Sequence, residues 1–272
     1  MKTVPVGLQL YTVRDMMAKN VPAALAAVKA AGYDYVEPAG LYGLSGEAYK
    51  AALDEAGLTA VCAHVPLADF GEDPLSTVKT YEKLGLRYLA VPYVPEELRY
   101  GKDAFWKTME YIRKLGMLCH ERGIQLVYHN HDFEFTKMED GRYVLDYMYE
   151  TIQPEYLATE LDVCWVSVGG EDPAAYVRKY GNRAPLVHLK DYVGQKSAHM
   201  YELIGIKSEA KAEPATFEFR PVGAGVVNFP SVLAAVAESN AEYVIVEQDQ
   251  SYAQTSIAAA KQSRDYLKSL GW

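Results

Sequence analysis

The sequence predicts an α/β fold of eight strand–helix units, a (β/α)8 barrel forming one domain over 1–272. Three observations carry that expectation. Short apolar, β-branched runs alternate about eight times with longer segments of helical period, as βα units do. Glycine follows a helical run and precedes a strand at Ala30-Ala31-Gly32, Glu55-Ala56-Gly57, Lys83-Leu84-Gly85 and Glu121-Arg122-Gly123, where a left-handed C-terminal cap belongs. No linker rich in Pro, Gly or Ser divides the chain, and eight parallel strands with crossover helices can close so that every strand C-terminus lies on one face.

The first strand is expected over Val6 to Tyr11. Asn20 then caps a helix over Pro22 to Ala31, with proline in its first turn. Strand two, Tyr35 to Glu37, precedes a helix over Glu47 to Ala56. Strand three, Ala60 to His64, precedes Pro74 to Leu84, and strand four, Tyr88 to Val91, precedes Ala104 to His120. Gln125 to His129 is strand five, followed by helix Leu145 to Glu150. Ala158 to Val163 is strand six, followed by Ala174 to Tyr180. Strand seven, Pro185 to Leu189, is separated from the helix Pro230 to Glu238 by an irregular excursion at about 191–228. An excursion of that length reads as a flap over the barrel mouth, an oligomer contact or a mobile segment. Strand eight, Tyr243 to Glu247, and the helix Ser256 to Leu270 complete the pattern.

Composition narrows the function classes. Half the residues are hydrophobic and none of the runs is long enough to cross a bilayer. The 27 basic and 36 acidic side chains give a formal charge of −9, which opposes binding to nucleic acid and offers no basic membrane patch. The N-terminus enters strand-like sequence without the features of a signal peptide, so a cytoplasmic location is expected. Cys62, Cys119 and Cys164 are widely spaced and odd in number, which indicates buried thiols and no disulfide framework or thiolate zinc site. The 22 tyrosines suit sheet packing and the walls of a carbohydrate pocket alike.

Chemistry concentrates at strand ends. Glu134, Asp162, His188 and Glu247 follow or end four apolar runs, and a set of three carboxylates and one imidazole suits Mn²⁺, Mg²⁺, Co²⁺ or Zn²⁺, with manganese favoured. A lone aspartate such as Asp162 would more often cap a turn or pair with a cation, and a lone His188 would more often be a satisfied core histidine. Four such residues at four strand ends weigh against those readings together. In Tyr128-His129-Asn130-His131-Asp132-Phe133-Glu134-Phe135, strand alternation puts His129 and His131 on one side and Asn130 on the other. Glu134 has the opposite parity and reaches the same centre only through a turn, which leaves His129 as its rival for the first ligand position. Glu160 shares the parity of Asp162, and Lys190 that of His188. Glu37 and His64, at the ends of strands two and three, are candidate substrate-binding residues, with a structural hydrogen bond as the alternative for each.

These segments, with Gly7-Leu8-Gln9-Leu10-Tyr11-Thr12-Val13-Arg14-Asp15, Glu160-Leu161-Asp162-Val163-Cys164-Trp165, His188-Leu189-Lys190-Asp191 and Val246-Glu247-Gln248-Asp249, resemble the sugar phosphate isomerase/epimerase family of xylose isomerase-like TIM barrels. The likeness spans nearly the whole chain. It implies one divalent ion held by Glu, Asp, His and Glu from strands five to eight. Asp162, His188 and Glu247 carry over directly; Glu134 replaces a glutamate that in ketose epimerases ends strand five, where His129 stands here. The segment Val222-Gly223-Ala224-Gly225-Val226-Val227-Asn228-Phe229 resembles the family's glycine-rich turn, but with Ala224 and Asn228 where acidic residues are common, and is expected to shape the loop before the last helix.

The function expected from this set is proton abstraction beside the carbonyl of a keto sugar or related polyol by a metal-dependent isomerase or epimerase. Glu247 or His131 would act as base, and His129 and Lys190 would polarise or protonate substrate oxygens. A lyase or dehydratase acting on a 3-keto sugar, keto-glycoside or inosose is the close alternative, and a non-catalytic sugar-binding barrel is the alternative of a different class. An endonuclease is disfavoured by the acidic balance and by the lack of a multi-histidine set for three zinc ions. No clear glycine-rich cradle points to a phosphorylated substrate.

Overall fold

The computed structural model describes residues 2–197, 200–206 and 217–272. Eight strands form one parallel, curled sheet: β1 (Val6–Gln9), β2 (Tyr35–Glu37), β3 (Thr59–Ala60), β4 (Tyr88–Val91), β5 (Gln125–His129), β6 (Ala158–Asp162), β7 (Leu186–Leu189) and, after a two-stranded excursion, β10 (Tyr243–Val246). Their order is β3-β2-β1-β10-β7-β6-β5-β4. The two ends of that order are tied by backbone hydrogen bonds, Ala90 N to Ala63 O (2.9 Å) and Val65 N to Ala90 O (2.9 Å).

The expected helices are present within one or two residues, as α2 (Val21–Ala30), α3 (Gly46–Ala56), α4 (Pro74–Glu82), α5 (Phe105–Glu121), α6 (Val144–Thr151), α8 (Pro173–Lys179), α9 (Phe229–Ala237) and α10 (Ser256–Ser269). Asn20 caps α2 through its side-chain oxygen on Ala23 N (3.0 Å), and Gly32, Gly57, Gly85 and Gly123 all have positive φ, as their helix-ending positions require. Two short helices, α1 (Arg14–Met17) and α7 (Val163–Val168), were not expected. Both follow strands that end early because a side chain takes over the backbone. Gln9 Oε1 accepts from Tyr11 N (2.9 Å) and starts a 3-10 turn, and Asp162 Oδ1 accepts from Trp165 N (2.9 Å) and starts α7.

Alternation along the strands sorts side chains into two cores. Leu8, Val36, Leu89, Leu126, Leu161, Val187 and Val244 point outward and pack with the helices in one large cluster. Inside the curl, Cys62, Ala90, Val127, Ala158, Leu186 and Ile245 form a smaller apolar plug. All three cysteines are free and buried. Two residues further along each of β5, β6, β7 and β10 the inward positions become His129, Glu160, His188 and Glu247, so a polar floor lies on the plug at the C-terminal end of the sheet.

Within the excursion, β8 (Asp191–Val193) pairs antiparallel with β9 (Glu218–Arg220). The glycine-rich turn is wrapped around Asp191, whose carboxylate accepts from the backbone N–H of Tyr192 (2.9 Å), Gly223 (3.0 Å), Gly225 (2.7 Å) and Val227 (3.1 Å). A Cβ on Gly225 would lie 2.3 Å from both Asp191 Oδ1 and Tyr192 O, which is why glycine stands there. Lys207, Glu209, Lys211 and Glu213 lie outside the described residues. No helix among the described residues is long and apolar enough to cross a membrane.

Candidate active site and metal centre

The polar floor has two levels. At the upper one, His129, Asp162, His188 and Glu247 each offer a ligand atom, and these atoms all lie within 4.8 Å of one another. Strand pairing brings them together: Asp162 is opposite His188 across β6 and β7, and His129 is opposite Glu160 across β5 and β6. His188 Nδ1 is 3.1 Å from Glu247 Oε2, and His129 Nε2 is 3.7 Å from Asp162 Oδ2. Asp162 Oδ2 is buried without a hydrogen-bond partner. Two imidazoles and two carboxylates, one with an oxygen free, are a donor set that fits a divalent ion of the Mn²⁺ to Zn²⁺ range.

Glu134 is not in that set. The chain turns after His131 into a 3-10 turn (Phe133–Phe135), and the Glu134 carboxylate accepts from the Tyr128 hydroxyl and from His131 N (2.8 Å). Tyr128 faces the helices, so Glu134 is drawn to the outer side of β5, lining a separate cavity of about 290 Å³ with Arg99 and Phe105. The turn that the reading of Glu134 as a ligand required runs the other way, and His129 holds the strand-five place. Burial pushes the Glu134 carboxyl up to about 7.

Beside the quartet, the Lys190 ammonium lies 2.8 Å from Glu247 Oε2, 2.8 Å from Asp249 Oδ2 and 3.7 Å from Asp162 Oδ2. Burial would strip its proton, but Asp249 and Glu247 hold its pKa well above the usual lysine value. Burial pushes Asp162 and Asp249 up to about 6 despite Lys190. Glu247 is likewise buried, yet Lys190 and His188 keep it well below the carboxylate range. Burial lowers His129 to about 3, and burial with His129 and Lys190 nearby lowers His131 well below the usual imidazole value. His131 Nδ1 is buried without a hydrogen-bond partner.

The lower level was only partly anticipated. Glu37 Oε2 accepts from Gln9 Nε2 (2.8 Å) and lies 2.7 Å from His188 Nε2 and 3.3 Å from His64 Nε2. Glu160 Oε2 is 2.6 Å from His64 Nε2, 3.2 Å from His129 Nδ1 and 3.4 Å from His188 Nε2. Glu37 is therefore enclosed beneath the histidines, while His64 reaches the cavity wall. Glu160 and Asp249 were not singled out as site residues. Each stands two positions from a residue that was, and that spacing was the available signal. Asn130, on the far side of β5 from the histidines, clamps the strand ends by exchanging hydrogen bonds with the backbone of Asp162 (2.9 and 3.3 Å).

Above the floor is a cavity of about 420 Å³, a size suited to a small ligand. His64, His129, His131, Lys190, Glu247 and Asp249 form its polar side, and Pro66, Leu67, Pro92, Pro95, Ile204 and Ile206 its apolar rim. Ile204 and Ile206 come from the excursion, whose Tyr201 hydroxyl donates to Asp132 and whose Ile204 carbonyl accepts from Tyr11 OH (3.1 Å). The described part of the excursion thus lines one side of the cavity through Ile204 and Ile206.

Comparison with known proteins agrees with this architecture. The sequence model of the xylose isomerase-like TIM barrel family matches residues 25–270. An inosose dehydratase from Clostridium beijerinckii is 27% identical over 177 residues, 62% of this chain and 56% of the relative. The match thus spans only about half the length of such curated relatives. A sugar phosphate isomerase/epimerase from Parabacteroides distasonis superposes with a TM-score of 0.76 at 22% identity, covering 98% of this chain and 94% of the other. The IOLI protein, solved with a bound zinc atom, superposes with a TM-score of 0.69 at 13% identity over 98% and 97% of the two chains.

Proposed function

The chain belongs to the xylose isomerase-like TIM barrel family, and on that premise we propose that it is a divalent-metal-dependent enzyme that removes the proton beside the carbonyl of a keto sugar or cyclitol and expels the β-substituent, as a dehydratase or lyase. In this reading the eight-stranded sheet closes across the β3–β4 seam into a single barrel domain, with residues 191–228 as its cover. His129, Asp162, His188 and Glu247 would hold the ion, which would supply positive charge beside the substrate carbonyl.

The observation that carries the choice of elimination is the pairing of unlike groups on the cavity floor. His131 lines the cavity with Nδ1 unpartnered, which leaves that nitrogen free for a substrate proton. Lys190 reaches the same cavity as a buried ammonium, so it can donate a hydrogen bond to a departing oxygen. A base on one group and an acid on another is what elimination needs. Glu247, the other candidate base, is engaged by His188 and Lys190 and serves better as a ligand. The inosose dehydratase relatives support the same direction. The apolar rim supports a substrate with an apolar ring face or substituent beside its hydroxyls.

Isomerisation or epimerisation shares the first step, and the strand-end quartet is equally compatible with it. Incubation of the Mn²⁺-loaded protein in D₂O with an inosose and with 3-keto-glucosides, followed by product analysis, tests the choice. Loss of water or aglycone is expected. Deuterated, epimerised sugar with no eliminated product would establish the second reading, and no exchange into any keto sugar would establish a binding barrel.

A further inference from the structure

We infer that Glu134 is a positioning residue for His131: by accepting the backbone N–H of that residue it ties the loop beyond β5 to the strand and fixes where the imidazole stands in the cavity. This rests on the reading of His131 as the base. β5 stops at His129 and the chain regains regular form only at the 3-10 turn Phe133–Phe135, so residues 130–132 belong to neither element. Glu134 spans that gap. One of its carboxylate oxygens accepts from the hydroxyl of Tyr128, inside β5, and the other accepts from His131 N at 2.8 Å. The anchor is itself fixed, since Tyr128 is buried and its carbonyl accepts from Tyr149 OH (3.3 Å).

The imidazole of His131 is held by shape. Its ring stacks on Phe133, with centroids 5.5 Å apart and 10° between the planes, and lies against Trp165 at 4.9 Å and across Tyr93 at 5.2 Å. Phe133 is backed in turn by the Arg99 guanidinium, 3.6 Å from its ring centroid. Stacking restrains the tilt of a ring more than its sliding in plane, and Nδ1 has no hydrogen-bond partner to stop such sliding. The position of the ring along the cavity is therefore set by the backbone of residue 131, and Glu134 holds that backbone. A base must lie within hydrogen-bond reach of the proton it takes, and a displacement of about 1 Å costs roughly 100-fold in rate. Glu134 lines the outer cavity and not the one that His131 lines, so it does not touch substrate.

The test separates the acceptor from the charge. In Glu134→Gln the amide oxygen still accepts from His131 N and the amide N–H donates to the Tyr128 oxygen, whereas Glu134→Asp keeps the charge but is one methylene too short to reach both partners. With Mn²⁺-loaded protein and the keto sugar that the parent turns over, kcat should stay within about threefold of the parent in Glu134→Gln and fall roughly 100-fold in Glu134→Asp, with KM changed by less than about threefold in both. Added to His131→Ala, Glu134→Asp should cause no further loss, because it acts through that ring alone. In metal-free ¹⁵N-labelled protein the His131 amide should exchange with solvent slowly in the parent and in Glu134→Gln, and about tenfold faster or more in Glu134→Asp. Parental kcat in Glu134→Asp, a Glu134→Gln as slow as Glu134→Asp, or a full additional loss on top of His131→Ala would overturn the inference. Equal His131 amide exchange in the parent and in Glu134→Asp would overturn it too, with neither metal nor substrate needed. A His131→Ala protein that turns over at the parent's rate would instead refute the assignment of the base, while the amide exchange would still report whether Glu134 holds residue 131.

Discussion

Replacing Lys190 by Met removes the only cation that faces Glu247, Asp249 and Asp162 among the buried lysines and arginines of the described residues. Methionine keeps the apolar stem, so the loss is electrostatic rather than a packing defect. Lys190 is 1% exposed and its ammonium lies 2.8 Å from two carboxylates. Truncating one side of such a buried pair costs about 3–5 kcal/mol. At about 2–4 °C per kcal/mol for a chain of this size, the metal-free variant should melt about 6–20 °C below the parent at pH 8. The sign of the pH dependence follows from Asp162 and Asp249. Burial already raises both to about 6, and without Lys190 they rise further. A carboxyl whose folded pKa exceeds its unfolded one binds more protons when folded, so its destabilising effect grows as pH rises and shrinks as pH falls towards 4. The deficit at pH 5 should therefore be smaller than at pH 8. A divalent ion can take over the lost charge, so Mn²⁺ should raise the melting temperature of the variant more than that of the parent. Differential scanning fluorimetry at the two pH values, with EDTA or with Mn²⁺, makes the measurement. A loss below about 3 °C in EDTA at pH 8, or a larger loss at pH 5, would refute the argument.

Asp162→Ala and His188→Ala should each lose stoichiometric Mn²⁺ on gel filtration, and full occupancy retained in both would show that the quartet is not the metal site. Glu134→Gln should keep one metal per chain with affinity within about twofold of the parent, because Glu134 sits on the far side of β5; a loss of roughly tenfold or more would return it to the ligand set. The double variant Ile204→Ser/Ile206→Ser strips two apolar side chains from the rim and should raise KM about tenfold with little change in kcat. Steady-state kinetics on the substrate found active would show it, and an unchanged KM would mean the excursion does not cover bound substrate.

Much of the scaffold was legible in the chain because its signals are local. Apolar runs of period two, helices of period 3.6, the Asn20 cap and the four glycines after helices act within a few residues, and the structure follows each of them. The strand ends at Gln9 and Asp162 were overrun by two residues and by one, since a side chain that captures a backbone N–H has no periodicity to announce it.

The site divides in the same way. Strand alternation alone puts His129 with His131, Asp162 with Glu160, and His188 with Lys190, and parallel pairing sets Asp162 opposite His188, with Glu247 two residues beyond Ile245, the residue opposite His188 on β10. What alternation cannot determine is the path after a strand stops. The 3-10 turn at Phe133–Phe135 sent Glu134 to Tyr128 and left the fourth place to His129. Nor can it say that residues 160, 64, 129 and 188 meet at one oxygen, or that the Lys190 ammonium lies among three acids, because those contacts join strands far apart in sequence across the interior of the sheet. The chain by itself determined which residue types stand at the strand ends; tertiary structure decided which of their atoms face one another, since a hydrogen bond or a metal site depends on distances of a few ångströms between distant segments.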